Sequence, residues 1–287
     1  MNVLVTGAGG MLGREVVERF DSVGHHSVVG AAHGDFDLSN RDSVFQCVLG
    51  VAPDLVINCG AFTAVDRCET ESDTAFAINA FGARNVAEAC AKVGAHLVHV
   101  STDYVFDGTK QEPYHEWDVP NPQSVYGASK LAGEHEITAL LGPACTIART
   151  AWVCGRYGNN MVKTVLRLLA TTDGPLRFVD DQRGCPTFAD DLASMLYRLG
   201  IDRRPGLFHV TNQGAVSWYE FVADITRAAG GDVGRVDAIS TADLQPPRPA
   251  PRPANSVLEN LALRLSGVEI LPHYGAALER TIAALSA

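Results

Sequence analysis

The chain has 287 residues, 46% apolar and 20% charged, with 23 Lys and Arg against 33 Asp and Glu for a formal charge of −10. That balance excludes a protein built to lie on nucleic acid or an anionic membrane, since both need a clustered basic face. No apolar run approaches the roughly 18 residues of a membrane span. The seven cysteines are odd in number and scattered, which favours reduced thiols in a cytoplasm over a disulfide framework or zinc site.

The first residues, Met1-Asn2-Val3-Leu4-Val5-Thr6-Gly7, carry no basic stretch and run into a glycine turn. They read as a strand of the fold and not as a secretion signal. A helix follows with Leu12, Val16, Val17 and Phe20 on one face. Further strands are predicted at 27–30, 54–58, 97–100 and 145–148, with helices over 73–93 and 124–141 between them. The mostly continuous apolar character of 54–58 suggests burial on both faces.

This alternation predicts an α/β fold, a Rossmann-type doubly wound parallel sheet, over residues 1–150. Beyond Arg149 the rhythm loosens into helices near 160–170 and 188–199 and apolar runs at 176–179 and 207–210. Ser217 with Glu220 has capping-box spacing for a helix to about 229. Residues 151–287 are therefore expected to form mainly a smaller, discontinuous α/β substrate domain, with segments near 176–212 returning to the main sheet. Five prolines between Gln245 and Pro253 read as a surface loop.

Gly7, Gly10 and Gly13 sit between the first strand and first helix, where glycine permits a tight turn and backbone approach to a pyrophosphate. The stricter G-x-G-x-x-G spacing fails, because Leu12 stands where the last glycine would fall. After the second strand, Gly30-Ala31-Ala32-His33 offers no acid for a ribose 2′-hydroxyl; Asp35 and Asp37 come later. This leans towards NADP or dual use.

Tyr126 and Lys130 stand four residues apart near the start of a predicted helix and share one face. An ammonium beside a phenol lowers the phenol's pKa towards a range useful for proton transfer. Ser101-Thr102-Asp103 ends the fourth strand, at the edge where doubly wound sheets bind ligands, so a hydroxyl there can reach a carbonyl oxygen.

The glycine loop, Thr102 and the Tyr126/Lys130 pair together resemble the extended short-chain dehydrogenase/reductase superfamily. More stretches narrow the likeness. They are Thr63-Ala64-Val65-Asp66, Ser101-Thr102-Asp103-Tyr104-Val105-Phe106-Asp107-Gly108, Lys130-Leu131-Ala132-Gly133-Glu134, Gly158-Asn159-Asn160 and Asp181-Gln182-Arg183-Gly184-Cys185-Pro186-Thr187. Arg252-Pro253 with Asn255-Ser256-Val257-Leu258 completes the set. Over essentially its whole length the sequence is similar to the dTDP-4-dehydrorhamnose reductase family.

That resemblance implies NADPH- or NADH-dependent reduction of the 4-keto group of dTDP-4-dehydro-L-rhamnose to dTDP-L-rhamnose. It implies Tyr126 as proton donor, Lys130 on the nicotinamide ribose, and Thr102 polarising the carbonyl. Gly10, Met11 and Leu12, between Gly7 and Gly13, would lie on the pyrophosphate. Asp37 and Leu38 would lie near the adenine, and Ala61, Phe62 and Thr63 along the cofactor. Asp103, Trp152 and Asn160 would contact the sugar nucleotide, with Arg183 and Arg252 as candidates for its diphosphate.

Ala151 and Cys154 stand where the family commonly has Ser and Tyr, which leaves a different nucleotide-linked 4-keto-6-deoxy sugar open. Tyr104 replaces the Glu of the related 4,6-dehydratases, and so argues against dehydration. A non-catalytic dinucleotide-binding regulatory subunit is a further alternative. Asp66, Glu69 and Glu71 permit Mg²⁺ but read better as solvated acids, so no metal site is expected. His25-His26 read as a helix C-terminal cap. Cys185 reads as structural. A homodimer is compatible with the sequence.

Overall fold

The computed structural model describes residues 1–286. In chain order the first part comprises β1 (Asn2–Thr6), α1 (Met11–Val23), β2 (Ser27–Ala31), α2 (Arg41–Val51), β3 (Leu55–Asn58) and α3 (Val65–Cys68). It continues through α4 (Ser72–Phe76), a π turn (Ala77–Phe81), α5 (Gly82–Val93), β4 (His96–Thr102), α6 (Val125–Leu141) and β5 (Cys145–Thr150). The second part contains β6 (Val153–Cys154), α7 (Met161–Thr171), β7 (Leu176–Val179), β8 (Arg183–Gly184), β9 (Thr187–Phe188) and α8 (Ala189–Ile201). After these come β10 (Gly206–His209), β11 (Val216–Ser217), α9 (Trp218–Ala228), β12 (Val236–Ile239), α10 (Leu261–Leu265) and α11 (Tyr274–Ser286).

Six parallel strands form the central sheet in the order β10-β5-β4-β3-β1-β2. Side chains alternate across it. Val3, Val5, Ile57 and Val98 face α1 and α8, while Leu4, Val56 and Leu97 face α2, α5 and α6. Both faces are thus covered, which is why the strands read as apolar runs. The chain moves outward from β1 to β2 and then back across to β3, so the winding reverses between β1 and β3. Ligands of doubly wound sheets lie in the crevice beyond the carboxyl ends at such a reversal.

A third apolar cluster, including Val162, Val165, Phe221, Ile225, Ala277 and Leu278, joins α7, α9 and α11. Its sheets are small: β7 pairs with β12, β8 with β11, and β6 with β9. Of the two runs expected to return to the main sheet, only β10 does so, lying parallel to β5. Residues 176–179 instead pair with β12. The reason lies in their pattern. Leu176 and Val179 are buried but Arg177 is exposed, which suits a ribbon packed on one face and not a strand covered on both.

Capping follows the sequence closely in several places. Ser124 caps α6, and Ser217 with Glu220 forms the reciprocal box that opens α9. The histidine pair after α1 behaves differently from expectation. Gly24 in the left-handed region closes that helix, and His26 turns its ring edge-on to Phe20 and Tyr197. Among the described residues no helix is long and apolar enough to cross a membrane.

Candidate active site

The carboxyl ends of β1, β3, β4 and β5 border a cleft of two adjoining cavities, about 440 and 500 Å³, which share Gly7, Gly10, Cys59 and Ala61. The glycine loop builds their common floor. A side chain at Gly13 would bring its Cβ within 2.2 Å of the Gly7 carbonyl oxygen, so the first turn of α1 can close on the loop only with glycine there. A backbone cradle at a helix N-terminus suits a pyrophosphate. Of the sequence-predicted cofactor residues, Met11, Leu12, Gly13 and Thr63 line the first cavity and Asp37, Leu38 and Phe62 the second. The residues present therefore fit a dinucleotide.

The far end of the second cavity is lined by Ala32, His33 and Gly34. The nearby acids are occupied within their own loop: Asp35 accepts from the Ala32 amide, and Asp37 from the Ser39 amide and hydroxyl. Asn79 stabilises the opposite wall. Its side chain bonds the Phe62 amide and carbonyl and reaches Ser129 on α6 at 3.0 Å. Asn79 sits in the π turn, a distortion that commonly marks functional sites.

Thr102, Asp103, Tyr126 and Lys130 all line the first cavity. Gly127 makes this possible, because a Cβ there would lie 2.1 Å from the Tyr104 carbonyl oxygen and push α6 off the turn after β4. Burial pushes the Tyr126 phenol above its ordinary range, while the neighbouring Thr102 hydroxyl pulls the other way. The phenol is therefore protonated at neutral pH. Lys130 Nζ is turned down into the sheet, donating to the Val100 carbonyl at 2.7 Å and lying 3.1 Å from His99 Nε2. Thus the expected lowering of the phenol by an adjacent ammonium is replaced here by a raised phenol and an inward-facing lysine.

Thr102 Oγ1 donates to Asp103 Oδ1 at 2.9 Å. Asp103 Oδ2 is buried without a partner, and burial raises this carboxyl to about 6. Beneath the site, Arg149 and Glu134 form a buried pair at 2.6 Å, with the Ser101 hydroxyl donating to the same carboxylate. Removing either partner would strand a buried charge, so this pair fixes β4, β5 and α6 relative to one another.

Trp152 also lines the first cavity, stacked on Trp218 with ring centroids 3.5 Å apart. Its φ of 46° is unusual for a bulky residue and is the kind of strain that collects at functional sites. Beyond Tyr104 and Trp218 lies a third cavity of about 260 Å³, flanked by Arg177, Arg248 and Arg252. Arg252 is held by both oxygens of Asp66, at 2.6 and 2.9 Å. The proline-rich segment is thus an arm that brings Arg248 and Arg252 to the cleft.

Two predicted substrate residues lie elsewhere. Arg183 pairs with Glu220 at 3.1 Å and lines neither cavity of the cleft; β8 pairs with the strand that leads into α9. Asn160 caps α7, and its amide holds the Gly155 carbonyl at 2.7 Å, so its work is to fold the loop behind Met11. The three acids considered for Mg²⁺ are separately engaged: Asp66 by Arg252, Glu71 by Arg67, and Glu69 by the Val125 amide.

Sequence reading missed Asn79, His99, Arg177, Arg248 and Trp218. A polar residue inside an apolar strand was an available signal for His99. The arginines lie on segments whose placement depends on the smaller layer.

The comparisons with known proteins agree with this geometry. The model of the RmlD substrate binding domain matches residues 1–287. A dTDP-4-dehydrorhamnose reductase from Aggregatibacter actinomycetemcomitans is 40% identical over 268 residues, 90% of each chain. A probable dTDP-4,6-dihydroxy-2-methyloxan-3-one 4-ketoreductase from Streptomyces antibioticus is 39% identical, covering 97% of this chain and 93% of its own. The crystal structure of a dTDP-4-dehydrorhamnose reductase from Bacillus anthracis in complex with NADP superposes with a TM-score of 0.94, at 39% identity and 99% coverage of both chains. On a family match that runs the length of the sequence and a superposition that covers nearly the whole chain, the chain belongs to the dTDP-4-dehydrorhamnose reductase family of oxidoreductases.

Proposed function

We propose that this protein reduces the 4-keto group of dTDP-4-dehydro-L-rhamnose to give dTDP-L-rhamnose, using NADPH or NADH. The observation that carries the reading is the position of Tyr126 and Thr102 on the wall of the glycine-floored cavity, next to an arginine-flanked one. The cradle at Gly7, Gly10 and Gly13 would hold the cofactor's pyrophosphate, and Ala61, Phe62 and Thr63 its flank. When bound, the reduced nicotinamide supplies the hydride.

The chain's own residues supply the proton and the orientation. Tyr126, kept protonated by burial, donates its phenolic proton to the oxygen that gains negative charge. Thr102 hydrogen-bonds the same oxygen and stabilises that charge before transfer is complete. Lys130, whose ammonium or amine lies at the cavity wall, would hold the ribose hydroxyls of the bound cofactor. Arg252, braced by Asp66, pairs the diphosphate together with Arg177 and Arg248. Trp152 and Trp218 present an apolar face to the deoxy-sugar ring.

Purified protein incubated with NADPH and dTDP-4-dehydro-L-rhamnose made in situ should oxidise the cofactor and release dTDP-L-rhamnose. Cofactor binding with no oxidation would overturn the reading. The similarity to a ketoreductase of another deoxy-sugar, with Ala151 beside Trp152 on the first cavity's wall, favours one second reading: a different dTDP-linked 4-keto-6-deoxy sugar. A panel of such sugars separates the two. A dinucleotide-binding subunit without catalysis would turn over none of them.

A further inference from the structure

Beneath Lys130, which lines the first cavity, runs a line of polar side chains that line neither cavity. Thr6, Asn58, His99 and Lys130, from β1, β3, β4 and α6, are each at most 2% exposed. Thr6 Oγ1 bonds Asn58 Oδ1 at 2.6 Å, Asn58 Nδ2 lies 2.9 Å from His99 Nδ1, and His99 Nε2 lies 3.1 Å from Lys130 Nζ.

The direction of this line is fixed by one backbone group. A hydroxyl can donate or accept, so Thr6 leaves it open. The Gly60 amide can only donate, and it lies 3.2 Å from Asn58 Oδ1. Asn58 must therefore present its NH₂ to His99, and His99 Nδ1 must accept. Burial holds the His99 pKa well below its ordinary value, so the ring is neutral. A neutral imidazole that accepts at Nδ1 carries its hydrogen on Nε2. That hydrogen points at Lys130 Nζ.

An ammonium has three N–H groups and no lone pair, so it would oppose donor to donor across this contact. A free amine accepts from His99 and still donates to the Val100 carbonyl. We propose that Asn58 and His99 are positioning residues forming a one-way relay that favours the free-amine form of Lys130 in the cofactor-free protein. The inference rests on Lys130 having the role given above.

The surrounding charges set the scale of the effect. Burial lowers the Lys130 pKa to about 8, against the pull of Glu134 and Cys59, which both face it. Glu134 is already committed to Arg149, and burial raises the Cys59 thiol to about 12, so neither supplies a full opposing charge. Tyr126, on the same helix, carries its proton. The relay thus adds to burial in shifting Lys130 towards the free amine, while the phenol keeps its proton.

Side-chain nuclear magnetic resonance of isotope-labelled, cofactor-free protein tests this without turnover. Long-range nitrogen–proton correlations should find the His99 hydrogen on Nε2. In His99→Gln the amide can turn its oxygen to the lysine, and the Lys130 midpoint should rise by about one pH unit or more with no charge added. A hydrogen on Nδ1 in the unaltered protein overturns the proposal, and so does a midpoint that stays or falls in the variant. If His99→Gln does not fold, the location of the hydrogen in the unaltered protein decides alone. Absence of turnover on every sugar would strike the proposed reaction and leave these readouts standing.

Discussion

The carboxyl edge of the main sheet and the smaller layer after β5 make binding surface in different ways. At the sheet edge, backbone and short-range motifs do the work: a glycine floor, a hydroxyl at a strand end, and two side chains one helical turn apart. In the smaller layer, the surface is assembled from distant segments. Arg177 on β7, Trp218 at the start of α9 and Arg248 and Arg252 on the proline arm meet at one cavity. The first kind of site is written locally, and the second exists only once the packing of α7, α9 and β12 is fixed.

Variants on the two sides should separate accordingly. Gly13→Ala places a methyl 2.2 Å from a backbone oxygen that cannot retreat, and should weaken NADPH binding by about 100-fold or more. In the same protein dTDP should still raise the melting temperature, since the arginine side is untouched; loss of both responses would mean the halves are not separable. Arg252→Ala should raise the KM for the sugar nucleotide about tenfold with little change in kcat, the pattern of lost uniform binding. Unchanged kinetics would remove Arg252 from the diphosphate.

Arg183→Ala is the matched control. It lines none of the three cavities of the cleft and its exposed pair with Glu220 adds little to the fold, so KM should move less than about twofold.

Sequence patterns told these regions apart unevenly. The periodicity of buried parallel strands gave the positions of β1 through β5, and the motifs placed Thr102, Tyr126 and Lys130 together. Residues 176–179 were misplaced because a short stretch with three apolar residues does not reveal its partner; only the exposed Arg177 hinted at a one-sided ribbon. Arg183 was drawn to the substrate by its charge, yet Glu220 claims it through a β8–β11 pairing that no local spacing encodes. Asn160 was placed at the substrate by the family resemblance alone, whereas its position directly before a helix also marks it as a cap, which it is.

A further expectation concerns the pH dependence of stability, through Asp103. Its folded pKa, raised by burial to about 6, exceeds the ordinary carboxylate value near 4, so the folded chain keeps a proton that the unfolded chain has lost. Stability therefore falls as pH rises between those two values, by at most about 3 kcal/mol. Asp103→Asn should flatten that part of the stability curve measured by urea unfolding. A curve still sloping downward by the same amount would show that another group is responsible.

The central claim is that Tyr126 delivers the proton from the seam between the two regions. Tyr126→Phe keeps the ring and removes only the hydroxyl, so it should bind NADPH with unchanged affinity by fluorescence titration. With dTDP-4-dehydro-L-rhamnose its turnover should fall by about 100-fold to 10,000-fold relative to the unaltered protein. Turnover within a fewfold of that protein, at the same cofactor affinity, would contradict the account.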